Sequence, residues 1–188
     1  ISQFYGIEIN DFAVTVAKTA LWIAESQMMK ETDTIVLMPL EFLPLKTNAN
    51  IVEANALRIN WNDVVPKEKL SFIMGNPPFV GYAYQSKEQK SDLAVVCPEC
   101  GKSIDYVAGW YYKAAQLMQE THIHAALVST NSITQGEQVS AVWKPLMEKY
   151  RVSIDFARRT FRWDSEANMK AHVHCVIIGF SCEDMHNM

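Results

Sequence analysis

The sequence predicts an α/β fold in which a mostly parallel β-sheet carries helices on both faces. Segments with strand and helix patterns alternate along the 188 residues. The strand segments are nearly continuous apolar runs, which is typical of parallel strands that are buried on both faces. The length and the 49% of hydrophobic residues fit a single domain with a sizeable core. Ligands bind at the carboxyl ends of the strands in such sheets, so polar residues that follow strands are the candidate site residues.

The individual elements follow from the spacing of apolar residues. A first helix is predicted from an N-cap at Asn10 or Asp11 to about residue 29. Its apolar positions at helical spacing are Phe12, Val16, Ala20 and Ile23. Two further helices are predicted over 103–120 and 138–150, the second interrupted near Pro145. Strands are predicted over 4–9, 35–37, 51–54, 70–74, 123–129, 152–156 and 173–180, with irregular segments over 39–50 and 79–103.

The charge balance limits the partners that the chain can hold by charge alone. Lys and Arg number 17 against 21 Asp and Glu, which gives a net charge of −4. This balance argues against binding of nucleic acid through bulk charge, although nucleic acid remains possible as a substrate. Positive charge is concentrated near the C-terminal end, at Arg151, Arg158, Arg159, Arg162 and Lys170. This cluster is interpreted either as a solvated face or as an edge that faces phosphate.

The cysteines and histidines were considered as metal ligands. Cys97 and Cys100 in Cys-Pro-Glu-Cys have the spacing of half a zinc knuckle, but a closed structural site needs four ligands. Cys175 and Cys182 are not paired in this way, and the histidines occur as His122-x-His124 and His172-x-His174. We therefore predict no metal, and a plain turn with two reduced thiols at 97–100.

Asn76-Pro77-Pro78-Phe79, directly after the 70–74 strand, is the most informative segment. The two prolines hold the backbone in an extended turn after Asn76. Such a turn presents the Asn76 side-chain oxygen and nearby carbonyls as hydrogen-bond acceptors, beside the flat ring of Phe79. Gly75 allows close approach of the backbone. These groups suit a planar ligand that carries an amino group, although a simple Pro-Pro turn after a strand gives the same pattern.

Two other polar residues stand at predicted strand ends. Glu8 ends the first strand before a helix, where an acid can accept hydrogen bonds from ribose hydroxyls. Asn55, in Asn55-Ala56-Leu57, follows another strand and either binds the edge of an adenine or caps the turn.

Taken together, these segments resemble the catalytic domain of amino-group DNA methyltransferases of the N6-adenine type, which depend on S-adenosylmethionine. Asn76-Pro77-Pro78-Phe79 matches the family's (D/N/S)PP(Y/F/W) catalytic motif. The segment around Glu8 and Ile9 resembles the motif whose acid binds the cofactor ribose, and Asn55-Ala56-Leu57 resembles the next motif. Residues 105–111 and 126–132 resemble the helix after the catalytic loop and the later strand. The run from Phe79 to Trp110 more narrowly resembles the methylase part of fused restriction–modification proteins.

One part of the family's pattern has no match. The family's Gly-rich first motif is missing, since none of the 7 glycines forms a Gly-x-Gly pair, and the chain begins with Ile1. We therefore expect a Rossmann-like class I methyltransferase fold that is truncated at its N-terminal side, so that residues 1–188 form a partial catalytic domain. The exposed sheet edge and apolar surface would favour a dimer of this fragment.

The resemblance implies methyl transfer from S-adenosyl-L-methionine to the N6 amine of a flipped adenine. Asn76 and the Pro77 carbonyl would accept hydrogen bonds from the amine, Pro78 would fix the turn and Phe79 would stack on the base. Glu8, Ile9, Asn55, Ala56 and Leu57 would bind the cofactor. The partner implied is double-stranded DNA, read by a domain outside this chain, and the expected location is the cytoplasm, without a membrane. The alternatives are methylation of cytosine N4, RNA guanine or protein glutamine, and a non-catalytic nucleic-acid-binding module.

Overall fold

The computed structural model describes residues 1–36, 49–100, 103–163 and 173–182. The chain divides into two compact units, Ile1–Val65 and Pro66–Met188, and each is described separately below. The elements are mixed α and β. Among the described residues, no helix has the length and apolar character that crossing a bilayer requires.

The first unit contains a two-stranded parallel sheet and a long helix. Strand β1 (Tyr5–Glu8) pairs with β2 (Asn50–Glu53), so that Glu8 lies opposite Glu53 at the carboxyl end. Both strands confirm the sequence prediction to within two residues at each end. The short helix α2 (Trp61–Val64) was not predicted, and its N-cap is Asn60, whose side chain accepts a hydrogen bond from the Asn62 N–H.

Helix α1 (Asp11–Val36) corrects two predictions. It runs well past residue 29, and Ile35 and Val36 lie in it rather than in a strand. No Gly or Pro interrupts this segment, which permits the helix to continue. The apolar stripe predicted to face a core is exposed instead, with Phe12 at 73%, Val16 at 50% and Ile23 at 54% exposure. The predicted loop at 39–50 and the end of the 35–37 strand fall mostly outside the described residues.

The second unit contains a four-stranded mixed sheet. Its strands are β3 (Phe72–Gly75), β4 (His124–Thr130), β5 (Val152–Trp163) and β6 (Val173–Cys182), in the spatial order β3-β4-β6-β5. Strands β3 and β4 are parallel, whereas β6 is antiparallel to both β4 and β5. The predicted mostly parallel sheet is therefore confirmed only in part: the sheet is mixed, because β6 runs against β3, β4 and β5. The carboxyl ends of β3, β4 and β5 consequently share one edge.

The helices of this unit are short. They are α3 (Lys87–Val96), α4 (Ala108–Leu117), α5 (Gly136–Gln138) and α6 (Lys144–Tyr150), with 3₁₀ turns at Lys67–Lys69, Tyr82–Tyr84 and Asn131–Thr134. A π-helical turn at Val139–Trp143 joins α5 to α6, just before Pro145, and confirms the predicted interruption. Helix α3 contradicts the prediction that 79–103 is irregular throughout. It begins with a capping box in which Ser86 and Gln89 bond each other's backbone N–H groups.

The core of the second unit lies around α4. Tyr111 and Tyr112 are fully buried, and the Tyr111 ring stacks on Phe180 at 5.2 Å and meets Trp143 edge-on at 5.4 Å. Burial of each such aromatic side chain contributes roughly 1.5–3 kcal/mol to stability. Helix α4 is thereby fixed against the sheet, and the segment that leads into it reaches the carboxyl edge.

Candidate active site

The Asn76–Phe79 turn follows β3 directly, at the carboxyl edge of the mixed sheet. Pro77 is buried, Phe79 is half-buried, and Asn76 and Pro78 are exposed. Within the described part of the chain, no hydrogen bond occupies the Asn76 side chain or the Pro77 carbonyl. Both predicted acceptors therefore lack a hydrogen-bond partner among the described residues, and Asn76 is exposed. Gly75 is less constrained than expected, since a Cβ there would only touch Leu127 at 3.4 Å.

The segment after the turn is held against residues 104–106 by three hydrogen bonds. The Tyr106 N–H donates to the Val80 carbonyl at 2.9 Å, and the Tyr82 N–H donates to Asp105 Oδ1 at 3.0 Å. The Gln85 Nε2 donates to the Ile104 carbonyl at 2.8 Å, and Gln85 is buried. Because backbone groups make most of these bonds, the position of the turn is set by the chain that enters α4.

Asp105 connects this segment to the end of β4. Its carboxylate is 7% exposed and accepts a second hydrogen bond, at 2.6 Å, from the Ser132 hydroxyl. The Ser132 hydroxyl also lies 2.7 Å from the Thr130 hydroxyl, and the Asp105 N–H donates to Gln138 Oε1 at 3.2 Å. Since Ser132 donates to the carboxylate, Thr130 is the donor in the hydroxyl pair. One buried carboxylate therefore joins the segment after the Asn76 turn, the start of α4 and the end of β4.

A second buried polar pair lies one turn into α4. The Tyr111 hydroxyl is 2.6 Å from the Ser129 hydroxyl and donates to the Leu127 carbonyl at 3.4 Å. Burial raises the pKa of Tyr111 well above its usual range, and the hydrogen bond with Ser129 lowers it only in part. Tyr111 therefore remains a neutral phenol that fixes the last residues of β4.

The predicted cofactor residues lie in the first unit. Glu8 Oε1 accepts hydrogen bonds from the N–H groups of Ile9, at 2.9 Å, and Asn10, at 3.3 Å. The Asn55 side-chain oxygen accepts from the Leu57 N–H at 2.9 Å, which makes Asn55 a turn-forming residue as well. The structure brings these turns together at the carboxyl end of the β1–β2 sheet, because the Ala54 N–H donates to the Glu8 carbonyl at 2.8 Å.

The remaining members of this set differ in accessibility. Ile9 is 68% exposed and Leu57 is 1% exposed, and the Ala56 carbonyl accepts from the Trp61 indole N–H at 2.8 Å. Leu57 thus contributes packing, whereas Ile9 and the Glu8 carboxylate are accessible to a ligand.

Comparison with known proteins assigns the chain to a family. The family model described as "MmeI, DNA-methyltransferase domain" matches residues 1–188. The chain belongs to this family. DNA methyltransferase A of Bacillus subtilis (strain 168) is 44% identical over 185 residues, which cover 96% of the chain and 21% of that protein.

The solved structures agree with this membership. The Type IIL restriction–modification enzyme MmeI, in complex with DNA, matches with a TM-score of 0.92 at 46% identity, over 99% of the chain and 25% of that protein. The chain therefore spans between a fifth and a quarter of the length of these relatives of the MmeI methyltransferase-domain family.

The cysteines of this MmeI-family chain differ in part from the prediction. Cys97 and Cys100 form a disulfide rather than two reduced thiols, and both are buried. Cys175 and Cys182 form no disulfide, and burial raises the pKa of both thiols, that of Cys182 to about 11. Neither is therefore a thiolate nucleophile at neutral pH.

The described histidines are His122, His124 and His174. Among the residues that the structure describes, no group of three or more His, Cys, Asp or Glu side chains has the arrangement of a metal site. His124 lies 2.8 Å from Asp155 instead, and His172 falls outside the described residues.

The residues that the sequence did not identify are those that hold the turn in place. Asp105 and Ser132 fall within segments that resemble family motifs, but the sequence gives them no supporting role, and Gln85 lies outside these motifs. The bond between Tyr82 and Asp105 spans 23 residues, and the bond between Asp105 and Ser132 spans 27, so neither gives a local signal. The capping box at Ser86 is the one signal that was present in the sequence, and it locates α3 rather than the site.

Proposed function

We propose that this chain is the catalytic part of an enzyme that methylates the exocyclic N6 amine of adenine in double-stranded DNA, with S-adenosyl-L-methionine as methyl donor. The single observation that carries the proposal is the Asn76–Phe79 turn at the carboxyl edge of the sheet, whose two acceptors have no hydrogen-bond partner among the described residues. Membership of the MmeI DNA-methyltransferase family supports DNA as the substrate class. A Rossmann-like class I methyltransferase fold, with helices on both sheet faces, is the architecture proposed for the complete domain.

Methylation of adenine N6 requires the protein to activate an amine that is a weak nucleophile. The lone pair of an adenine N6 is delocalised into the ring. Hydrogen bonds from the N6 hydrogens to Asn76 Oδ1 and the Pro77 carbonyl favour a more tetrahedral nitrogen and stabilise the positive charge that develops on it. This is catalysis by positioning and electrostatics, and it needs no covalent intermediate. It is compatible with the raised pKa of the Cys175 and Cys182 thiols.

Phe79 is suited to hold a base outside the duplex. Its half-buried ring follows the two prolines, so that it is fixed next to the open acceptors. Stacking of a base on an aromatic side chain is worth roughly 1–3 kcal/mol, which offsets much of the cost of unstacking the base. Pro78 keeps the turn extended between Asn76 and Phe79.

The first unit supplies residues that fit part of the methyl donor. One Glu8 carboxylate oxygen is used by the turn, and the second is directed to no described backbone N–H, which leaves a position for a ribose hydroxyl. Ile9 offers an exposed apolar surface beside it, and Asn55, Ala56 and Leu57 shape the adjacent turn. When bound, S-adenosyl-L-methionine supplies an electrophilic methyl group on a sulfonium.

A substrate panel tests the proposal with the complete protein that contains this chain. Transfer of labelled methyl groups is measured on duplex DNA, RNA and protein, and the modified nucleoside is identified by mass spectrometry. We expect N6-methyladenine in DNA. N4-methylcytosine would keep the mechanism and change the base, whereas label in RNA or protein alone would refute DNA as the substrate. The complete protein, which we propose acts in the cytoplasm, is expected to read its DNA site through a domain outside residues 1–188.

A further inference from the structure

Of the basic residues near the C-terminal end of the sequence, Arg151 lies apart from Arg158 and Arg159. Arg151 precedes β5, at the amino end of that strand, and Arg158 and Arg159 begin its second half. Seven residues of strand separate Arg151 from Arg158, which is roughly 23 Å at about 3.3 Å per residue. The cluster seen in the sequence is therefore not one patch.

Arg158 stands level with Asn76 across the sheet. Gly75 pairs with Leu127, Leu127 pairs with Ile178, and Ile178 pairs with Ala157, so these four residues form one row across the sheet. Asn76 comes directly after Gly75, and Arg158 comes directly after Ala157. Because β3 and β5 run the same way, both residues lie one position closer to the carboxyl edge of the sheet. Three strand spacings of about 4.8 Å separate β3 from β5, so Arg158 lies roughly 14 Å to the side of the Asn76 turn. A DNA duplex whose target base lies at the Asn76 turn also extends as far as Arg158, since one helical repeat of DNA is about 34 Å long.

A β-bulge places both arginines at one cavity. From Arg158 to Phe161, β5 advances three residues while its partner β6 advances only two, from Ile177 to Cys175. The extra residue lies within this step, and bulges re-aim side chains that would otherwise alternate between faces. Arg158 and Arg159 both line a cavity of about 450 Å³, together with Thr134, Thr160 and apolar residues of β5 and β6.

The chemistry of this cavity suits an oxyanion. Both arginines are exposed, and among the described residues neither is in an ion pair. The acid that β5 itself carries, Asp155, is bonded to His124 and Ser181 at 2.8 Å and 2.7 Å. Two neighbouring guanidinium groups offer planar sets of N–H donors that match phosphate geometry. Because the chain as a whole has a net charge of −4, such a site acts locally rather than through bulk charge.

We propose that Arg158 and Arg159 bind a backbone phosphate of the DNA substrate beside the base presented to the Asn76 turn. This inference rests on the proposed function. The two arginines fix the register of the duplex and do not take part in methyl transfer. Their contribution is independent of base sequence.

The test uses the complete protein and compares R158Q, R159Q and the double variant with R151Q. The control R151Q removes the same charge from the opposite end of β5. Binding to a duplex that contains the target site is measured by fluorescence anisotropy between 50 and 200 mM salt. We expect the double variant to lower the slope of log K against log salt by about 0.9, the value for one phosphate, and to weaken binding about tenfold. We expect R151Q to keep the wild-type slope and the wild-type affinity for the duplex.

The outcomes separate this inference from the proposed function. An unchanged slope in the double variant, or an equal fall in R151Q, overturns the phosphate site while wild-type methyl transfer to DNA stands. A slope change that is seen with an RNA duplex and not with DNA overturns it as well. Failure of the wild-type protein to methylate DNA refutes the proposed function itself, and this inference with it.

Discussion

Replacement of Asp105 by alanine is expected to impair methyl transfer by releasing the segment after the catalytic turn. The Asp105 carboxylate is almost fully buried and accepts from the Tyr82 N–H at 3.0 Å and from the Ser132 hydroxyl at 2.6 Å. Asp105 touches no reacting atom in the proposed mechanism, so it is a positioning residue. When the Asp105 carboxylate is removed, the hydrogen bond from the Tyr106 N–H to the Val80 carbonyl still holds the segment that follows Asn76.

The expected magnitudes follow from these two bonds. A hydrogen bond to a charged group contributes about 1.5 kcal/mol or more, so Asp105→Ala is expected to lower the free energy of unfolding by about 3 kcal/mol. A displacement of a reacting group by about 1 Å costs about 10²-fold in rate, which is the fall in kcat that we expect. The KM for DNA is expected to change much less, because Asp105 contacts no substrate.

Two matched variants separate positioning from stability. Ser132→Ala removes one bond to the carboxylate, at a cost of about 1.5 kcal/mol, and leaves the tie to Tyr82 intact. Asp105→Asn keeps an acceptor for the Tyr82 N–H, and its new amide donor is accommodated if the hydroxyls of Ser132 and Thr130 exchange donor and acceptor roles. Both variants are expected to stay within about tenfold of the wild-type kcat.

The assay combines chemical denaturation with single-turnover methyl transfer by the complete protein. Circular dichroism at the assay temperature confirms that each variant is folded. The reasoning is refuted if folded Asp105→Ala retains wild-type kcat. It is also refuted if Ser132→Ala loses as much kcat as Asp105→Ala, since the loss would then not depend on the bond between Asp105 and Tyr82.

Two further predictions concern Phe79 and the buried pair in α4. Phe79→Ala is expected to weaken capture of the flipped base, so that the fluorescence rise of 2-aminopurine at the target position is reduced; an unchanged rise would count against stacking on Phe79. Tyr111→Phe and Ser129→Ala are each expected to lower the free energy of unfolding by about 1–2 kcal/mol, and the double variant by less than the sum, because both partners of one hydrogen bond are then absent. Denaturant titration of the four proteins measures the coupling, and strict additivity would show that the hydroxyls act independently.

The site turn was predictable because its determinants are local. An apolar run followed by Gly75-Asn76-Pro77-Pro78 defines a strand end and a rigid turn without information from elsewhere in the chain. The interruption before Pro145 was predictable for the same reason, and the structure has a π-helical turn there. The roles assigned to Asn76 and Phe79 in catalysis remain predictions.

Other features depend on contacts between distant residues and left no local pattern. Strand β6 is as apolar as a parallel strand, so nothing in its composition indicates that it runs antiparallel between β4 and β5. The support that Asp105 gives to the turn depends on bonds to Tyr82 and Ser132, which lie on either side of it in the sequence. Helix α3 is mainly polar in its first half, Lys87 to Asp92, and only the capping box at Ser86 indicated its start.

The exposure of α1 illustrates a different limit. Phe12, Val16 and Ile23 have the spacing of a buried helical face, yet they are exposed in the described chain. The pattern predicts that a face is apolar, but it does not identify the surface that covers it. Dimerisation of the fragment through such a surface stays a prediction.

The measurement that tests the central claim most directly is single-turnover methyl transfer by Asn76→Ala and Asn76→Asp variants of the complete protein on duplex DNA. Asn76→Ala removes the side-chain acceptor and is expected to lower the rate by about 10²–10³-fold while cofactor affinity, measured by calorimetry, stays unchanged. Asn76→Asp retains an acceptor oxygen at the same position. Its rate is therefore expected to be much closer to that of the wild type than the rate of Asn76→Ala. Near wild-type turnover in Asn76→Ala would contradict the account, because the amine would then be activated by some other group.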